Sequence, residues 1–453
     1  MRHRCSVVTT GRLETDHIAA LEALQGPVTV DRRCETPAEL LAVARHSHAD
    51  AVLIIGHPEI LTDSLAAQMH AQGLTVVAVT DLPAERERLR RIGVLGLPDD
   101  TPASVLAQAL QGAAGDSGEQ PGAGSVLSQL AGRDLIAEDA QFAAVEGDPM
   151  PQLPPPPRRE SDSAPGSEAS LVPEGVTVVW GPHGAPGRTT VAITLASELA
   201  LRGAAVLLVD ADSWAASAAT HLGLLEESAG LAQACRAAER GGLDVVQLAR
   251  LAQTVRTAGG SWDVLTGLPR PDRWAELRSR AVERVLSLAA EHYTHVIVDV
   301  AAPIELDEEL SFDTAAPQRS SATVASLEAA DQVLLLGGAD PLSFSRLVRA
   351  AADYPERIPG AAVPTVVVNQ LRSDVVGRSP QRQLAEAWAR YAGGGAVAGS
   401  IAACLPYDRE ACDTALRRGE VLAECAPESE LRRAVAALVG VTLPRRRRWG
   451  RKK

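Results

Sequence analysis

The feature that most constrains this chain is the stretch from Val176 to Thr190, which reads VTVVWGPHGAPGRTT. It opens with a β-branched apolar run, which indicates a buried strand. Small residues then lead into a helical stretch from Val191 to Arg202, which Gly203 closes. A strand, a glycine-rich turn and a hydroxyl pair at a helix start are typical of a phosphate-binding loop. In such a loop, backbone N–H groups and the helix N-terminus face the anion.

Two further apolar runs end in carboxylates. Residues 205–212 read AVLLVDAD and residues 295–299 read HVIVD, which places Asp210, Asp212 and Asp299 at strand ends. A site for a Mg²⁺-nucleotide needs carboxylates at the sheet edge where the phosphate loop lies. A later apolar run, Val366 to Val368, is followed by Asn369, whose amide is suited to reading a purine edge. Its other interpretation is a turn residue after a strand.

These four elements, in this order, resemble the deviant-Walker ATPases of the ParA/MinD class, and the resemblance covers roughly residues 176–440. The loop in that family reads G-K-G-G-x-G-K-T-T and is followed by a D-x-D strand and a hydrophobic-D strand. The overall layout is similar to CpaE-type proteins, in which the ATPase follows a receiver-like domain. The resemblance implies a homodimer that binds ATP or ADP with Mg²⁺.

The resemblance also implies a role for each site residue. The loop backbone would approach the phosphates at Gly184, Ala185, Pro186 and Gly187. Arg188 would donate to the β- and γ-phosphate oxygens, Thr189 would offer its hydroxyl to Mg²⁺, and Thr190 would bind the α-phosphate. Asp210 would position the attacking water, Asp212 would be the second acid of its strand, and Asp299 would orient a water bound to the metal. For any one strand-end aspartate, a helix N-cap is the alternative.

Two residues depart from the family pattern. Arg188 stands where the loop lysine is expected, and its guanidinium is larger and less compact than an ammonium. His183 stands at the place of the signature lysine, which in the family reaches a partner subunit's phosphate. Histidine is shorter, so the favoured interpretation is a loop residue that is hydrogen-bonded to backbone. Both changes point to weak hydrolysis or none.

The composition suits a protein of the reduced cytoplasm. The chain has 453 residues and 46% hydrophobic residues but only 3% aromatic ones, so Ala, Val and Leu must fill its interior. Its net charge of −13 argues against a surface generally adapted to nucleic acid. The six cysteines form no C-x-x-C pair, so they indicate neither a zinc site nor a disulfide framework. Neither a signal peptide nor a membrane-spanning segment is predicted.

Residues 1–113 alternate five strand patterns with helical ones, which predicts a doubly wound domain. It resembles a response-regulator receiver. Phosphoryl transfer in that family uses acids after the first strand, an aspartate ending the third and a lysine ending the fifth. In this chain the first, third and fifth strands end instead in Thr9-Thr10, Ile55-Gly56 and Leu97-Pro98. Only Thr80, which ends the fourth strand, matches the receiver pattern. The expectation is a pseudo-receiver that docks a protein partner or dimerises.

The predicted fold is therefore α/β, with two doubly wound domains, a receiver-like (βα)₅ domain and a SIMIBI-type P-loop NTPase domain. The boundaries are 1–113 for the first domain, 114–172 for a disordered Pro/Ser/Gly-rich linker, 173–440 for the nucleotide-binding domain and 441–453 for a basic tail. A short amphipathic segment at residues 126–142 is either part of the tether or a docking element. The acidic stretch from Glu305 to Asp313 is either a solvated loop or a contact for a basic partner.

The basic run from Arg445 to Lys453 has three interpretations: a solubilising tail, an anchor for anionic membrane, or a DNA contact. Membrane is favoured over DNA, which would place the protein peripherally at the inner face of the cell membrane. The leading functional hypothesis is an ATP-binding protein, with slow hydrolysis, that positions a pilus or secretion apparatus, a division site or a chromosome. The rival is a catalytically degenerate scaffold. A nitrogenase-type reductase is excluded because no cysteine lies between Cys235 and Cys404. A synthetase of the same superfamily has no substrate motif in its favour.

Overall fold

The computed structural model describes residues 4–112 and 170–444, except positions 14, 27, 35–38, 41–42, 44–48, 57, 59–60, 185, 225–228, 307–316 and 393–398. The chain divides into two compact units, residues 1–157 and 158–453. The basic tail, the segment 126–142 and most of the acidic stretch lie outside the described residues. Of the residues assigned to the linker, Ser170 to Val172 are described, and Val172 is buried in the core of the second unit.

The first unit is built on a parallel sheet. Its described strands are β1 (Cys5–Gly11), β2 (Val28–Cys34), β3 (Ala51–Ile55), β4 (Thr75–Val79) and β5 (Leu95–Leu97). Its described helices are α1 (His17–Ala23), α2 (Asp63–Ala71), α3 (Pro83–Arg91) and α4 (Ala103–Gln111). The strand order is β2-β1-β3-β4-β5, with every neighbouring pair parallel. This order reverses between β1 and β3, as in doubly wound sheets.

Alternation along the strands gives the first unit two apolar faces. Val8, Val52 and Ile54 contribute to one buried cluster, while Val7 and Leu53 contribute to the other. Successive strand residues point to opposite faces, so a strand that is covered on both sides is apolar at nearly every position. That is why the sequence located these strands, including β3 at five consecutive buried residues.

The second unit carries a larger sheet. Its described strands are β6 (Gly175–Trp180), β7 (Val206–Ala211), β8 (Gln253–Thr257), β9 (Gly260–Leu265), β10 (His295–Val300), β11 (Gln332–Gly338), β12 (Thr365–Leu371) and β13 (Ala403–Pro406). Its described helices are α5 (Arg188–Ala200), α6 (Ala218–His221), α7 (Gly230–Glu239), α8 (Val245–Leu251), α9 (Ser279–His292), α10 (Ser321–Glu328), α11 (Pro341–Arg357), α12 (Ser373–Val376), α13 (Pro380–Tyr391), α14 (Arg409–Arg418), α15 (Leu422–Cys425) and α16 (Glu430–Leu438), with a 3₁₀ turn at Pro271–Glu276. The described helices are all too short or too polar to cross a bilayer.

The strand order of this sheet is β13-β12-β11-β6-β10-β7-β9-β8, and β6 therefore lies at its centre. Val178 and Trp180 face one core cluster and Val179 faces the other, so β6 is covered on both sides. The loop after β6 leaves the sheet between the carboxyl ends of β11 and β10, where ligands bind in open α/β sheets. The α/β class with a parallel sheet is confirmed.

One strand of this sheet, β8, was not predicted from the sequence. β8 pairs antiparallel with β9 at the sheet edge, from Gln253 opposite Val264 to Thr257 opposite Gly260. Its residues alternate between half-buried and exposed, which is typical of an edge strand with one solvent-exposed face. Polar residues at four of its five positions hid it, although the Gly259-Gly260 pair that follows is a turn signal.

Candidate nucleotide site

The loop between β6 and α5 is shaped by close backbone approaches. Gly187 precedes α5 in the left-handed region, at φ 90°. A Cβ at Gly187 would lie 2.6 Å from the Asn369 Nδ2 atom, and one at Gly181 would lie 1.9 Å from the Leu336 carbonyl oxygen. Both positions therefore exclude a side chain. Pro186 is buried and Gly184 is exposed, while Ala185 lies outside the described residues.

Arg188 is directed back onto this loop. Its Nη1 donates to the carbonyl oxygens of Gly181 at 3.0 Å and Pro182 at 3.1 Å. Its Nη2 lies 3.9 Å from Oδ2 of Asp212. The guanidinium thus closes the loop on itself and faces an acid, while the resemblance had implied contacts to nucleotide phosphates.

The two predicted metal-binding residues lie together. The Thr189 hydroxyl, in the first turn of α5, donates to Oδ2 of Asp299 at 2.5 Å. Asp299 is 1% exposed, and its other oxygen, Oδ1, is buried with no hydrogen-bond partner among the described residues. Thr190 follows at the helix start, and its carbonyl accepts from the Thr194 hydroxyl at 2.6 Å.

Asp210 and Asp212 stand beside this pair because parallel strand ends meet at one edge. Asp299 of β10 is in register with Asp210 of β7. Oδ2 of Asp210 accepts from the backbone N–H groups of Ser217 and Ala218, both at 2.9 Å. Asp212 accepts from the backbone N–H groups of Trp214 and Ala215 through Oδ1, both at 2.8 Å. Each acid therefore also fixes the backbone that follows β7.

The three acids make the site electrostatically suited to a cation. Burial raises the pKa of Asp210 to about 6; the nearby Asp212 carboxylate adds to this rise, and the backbone donors of Ala218 and Ser217 oppose it. Burial, and then the Asp210 carboxylate, raise the pKa of Asp299 well above its ordinary value. Crowded buried carboxylates disfavour one another's charge, so a bound cation stabilises them together.

The residues present fit Mg²⁺. No three His, Cys, Asp or Glu side chains converge into a metal cage in the described ranges. Mg²⁺ does not require one, because it keeps several waters and binds through one or two protein oxygens plus substrate phosphates. The Thr189 hydroxyl and the unpartnered Oδ1 of Asp299 supply oxygens of the required kind. When bound, the ion would neutralise charge on the phosphates.

Asn369 lies at the phosphate loop and is 5% exposed. Its Nδ2 donates to the Pro186 carbonyl oxygen at 2.7 Å, across 183 residues of sequence. This contact ties the end of β12 to the loop. The neighbouring Gln370 lies within β12 and adopts φ 58°, at the point where the pairing of β12 with β13 shifts register. The amide nitrogen of Asn369 therefore stabilises the loop conformation. Asn369 also lines the cleft, where its side chain could contact a nucleotide base.

A cleft of about 660 Å³ opens at this edge of the second unit. Its walls combine predicted and unpredicted residues. The predicted ones are Pro186, Gly187, Arg188, Thr189, Thr190, Asp212 and Asn369. The others include Ser217, His221, Gln370, Tyr407, Asp408, Arg409 and Cys412. The segment from Tyr407 to Cys412 reaches the cleft through the fold of β13 and α14, so no motif in the sequence singled it out.

In the first unit, the described ends of β1 and β3 carry no acids. β1 ends in Thr9, Thr10 and Gly11, and β3 ends at Ile55. A histidine–carboxylate pair was not predicted there: His17 Nε2 lies 2.8 Å from Oδ1 of Asp99, and His17 is 2% exposed. The two residues are 82 positions apart in sequence, so the pairing depends on the fold.

No protein-family model and no curated protein matches the chain. A ParA family ATPase from Chlorobium tepidum is 19% identical, with 59% of this chain and 98% of that chain covered and a TM-score of 0.47. The cell division ATPase MinD of Pyrococcus furiosus is 17% identical, with 59% and 97% covered and a TM-score of 0.45. The septum site-determining protein MinD of Pyrococcus horikoshii, complexed with Mg-ADP, is 15% identical, with 58% and 94% covered and a TM-score of 0.44. These three solved structures are ATPases of the ParA and MinD type.

Proposed function

We propose that the second unit binds ATP or ADP with Mg²⁺, as a ParA/MinD-type P-loop protein with slow hydrolysis. The observation that carries this proposal is the contact between Thr189 and Asp299, made at the helix start of a glycine-shaped loop. It joins a hydroxyl to a buried carboxylate 110 residues away, one oxygen of which has no hydrogen-bond partner among the described residues. Thr189 lines the cleft of about 660 Å³, and Asp299 lies buried behind it. That volume lies within the usual range of ligand pockets.

The residues of the site have separate tasks in this proposal. Loop N–H groups and the α5 N-terminus attract the phosphates. Thr189 and Asp299 orient the metal's oxygen ligands, and Asp210 lies beside them to accept a proton or orient a water. Arg188 keeps the loop closed through Gly181 and Pro182 and donates its remaining N–H groups to the nucleotide.

Titration calorimetry tests the proposal. The expected dissociation constant for Mg²⁺-ADP or Mg²⁺-ATP is about 10⁻⁶–10⁻⁴ M, equivalent to roughly 5–8 kcal/mol. Arg188→Ala is expected to weaken binding by about 1–3 kcal/mol, because a charge-assisted contact and the loop closure are lost together. Arg256→Ala, at an exposed position on the edge strand β8, is the matched control and is expected to bind as the parent does. Lack of binding at millimolar nucleotide would exclude the proposal.

The rival function is a scaffold that binds nucleotide without useful turnover. The contacts of Arg188 favour it, because Nη1 already serves two loop carbonyl oxygens and is not available to a phosphate in this conformation. A turnover assay separates the two, since phosphoryl transfer depends on positioning that a displaced cation would impair. Phosphate release no faster than in the absence of protein, by a chain that binds nucleotide, would assign the scaffold role.

We also propose that the first unit is a CpaE-like pseudo-receiver that docks a protein partner or a second copy. The 2-1-3-4-5 strand order and threonines at the strand end where receivers place acids support this. Incubation with acetyl phosphate or beryllofluoride is expected to leave this unit unlabelled, because no strand-end carboxylate is present at those positions to accept the group. A stable, acid-labile phosphoryl adduct mapped within residues 1–113 would contradict the proposal.

The basic run from Arg445 to Lys453 is proposed to hold the protein peripherally at an anionic membrane. Each cation near such a surface contributes about 1 kcal/mol, and Trp449 is suited to the headgroup boundary. Deletion of residues 444–453 is expected to abolish salt-sensitive sedimentation with anionic liposomes and to leave nucleotide binding unchanged. Equal sedimentation of both chains, or tail-dependent binding to DNA that is much tighter than to lipid, would refute this assignment.

A further inference from the structure

A second arginine of the same chain lies against the phosphate loop. Arg346, on α11, places its Nη1 3.4 Å from the His183 carbonyl oxygen. A Cβ at Gly184 would lie 2.6 Å from that same Nη1 atom. The guanidinium therefore covers the loop backbone at its exposed amino-terminal half.

The helix that carries Arg346 is fixed close to the sheet. Phe344 and Leu347 flank it and are buried in the core. A Cβ at Gly337 of β11 would lie 2.7 Å from Leu347 Cβ, so the absence of a side chain there lets α11 approach the strand closely. The Cα position of Arg346 is thereby held by packing, while its long side chain is free to move at its tip.

The charge balance of the site leaves a role for this cation. Arg188 faces Asp212 and serves two loop carbonyl oxygens. The strand-end acids Asp210 and Asp299 add negative charge close to the place of the phosphates. Mg²⁺ held at Thr189 and Asp299 would offset these acids, but at the loop itself the Arg188 Nη1 atom is already engaged with carbonyl oxygens. A further cation at the exposed half of the loop would therefore stabilise a bound polyphosphate.

We propose that Arg346 is a phosphate-binding residue of this site, which moves its guanidinium from the His183 carbonyl oxygen to a phosphate of the bound nucleotide. The inference rests on the proposed nucleotide-binding function. At 3.4 Å the contact with the carbonyl oxygen is long, so it costs little to give up. A guanidinium on a phosphate makes two parallel charge-assisted bonds, which are shorter and stronger. The site would then gain from its own chain a cation at the exposed half of the loop.

The test compares three variants of the full chain by titration calorimetry with Mg²⁺-ATP. Arg346→Ala is expected to bind about 10- to 100-fold more weakly than the parent. Arg346→Lys keeps the charge but not the bidentate geometry, so it is expected to lie between them. Arg349→Ala removes an exposed arginine one turn along the same helix and is expected to bind as the parent does.

A merely structural role would give a different pattern. If Arg346 only held the loop, Arg346→Ala would lower the melting temperature of the nucleotide-free chain, and Arg346→Lys would not recover affinity in proportion to charge. The proposal expects an unchanged melting temperature without nucleotide and a smaller nucleotide-induced rise in the variant. A parent chain that binds while Arg346→Ala binds equally well overturns this inference alone. A parent chain that does not bind at all overturns the proposed function and this inference together.

Discussion

Replacing Glu198 with alanine is expected to lower the free energy of unfolding of the second unit by about 3–5 kcal/mol. Glu198 of α5 accepts from Arg432 of α16 through both carboxylate oxygens, at 2.6 and 3.3 Å. The two side chains are 3% and 12% exposed. The substitution leaves the guanidinium buried without a counter-charge, which costs far more than the pair itself contributes. Urea titration checks this, because all six tryptophans lie after residue 170 and their fluorescence reports the second unit alone.

The matched control is Asp413→Ala, which removes the acid of the Arg409–Asp413 pair. Those side chains are 75% and 53% exposed, so the expected change is within about 0.5 kcal/mol. The double variant Glu198→Met with Arg432→Leu is expected to recover most of the loss, since no buried charge then remains. If Glu198→Ala unfolds at the same urea concentration as the parent, the pair does not hold α16 to α5 as described.

Replacing Asn369 with aspartate is expected to weaken the binding of every nucleotide by about 10- to 100-fold. The change keeps the shape of the side chain but removes its N–H donors. A carboxylate oxygen would then face the Pro186 carbonyl oxygen at the distance of 2.7 Å now spanned by a hydrogen bond. Because the side chain is buried, water cannot relieve the repulsion, and the loop moves away from β12.

This variant also separates the two roles considered for Asn369. A residue that braces the loop affects ATP, ADP, GTP and GDP by the same factor. A residue that reads the base changes the ratio of adenine to guanine nucleotide affinity and leaves the loop intact. Calorimetry with all four nucleotides measures both quantities. A changed ratio with unchanged affinity for the preferred base would assign Asn369 to base recognition.

The sequence predicted those parts of the site that depend on the backbone alone. β6, β7 and β10 are apolar at nearly every position, and parallel pairing then brings Asp210 and Asp299 to one edge in register. The hydroxyl pair indicated a helix after the loop, and α5 begins at Arg188, earlier than the expected Val191. These inferences need only local pattern and the geometry of a parallel sheet.

The side-chain partners were beyond that reasoning. The donors of Arg188 face carbonyl oxygens of its own loop, which depends on a turn conformation that the residue types do not define. The contacts of Asn369 and Arg346 with the loop span 183 and 163 residues. They exist because the end of β12 and the helix α11 both lie against the loop that follows β6, and that placement follows from the packing of the whole unit.

The closeness of Leu171 to Leu438 has a mechanical consequence. The Leu171 N–H donates to the Leu438 carbonyl oxygen at 2.8 Å, and Arg202 donates to the next carbonyl oxygen, that of Val439. The segment before β6 and the end of α16 are thus held together by hydrogen bonds at one place. Tension applied between the preceding linker and the following tail would load these hydrogen bonds and α16 first. The force would pass across one end of the unit, and β6 with its phosphate loop would remain outside the load path.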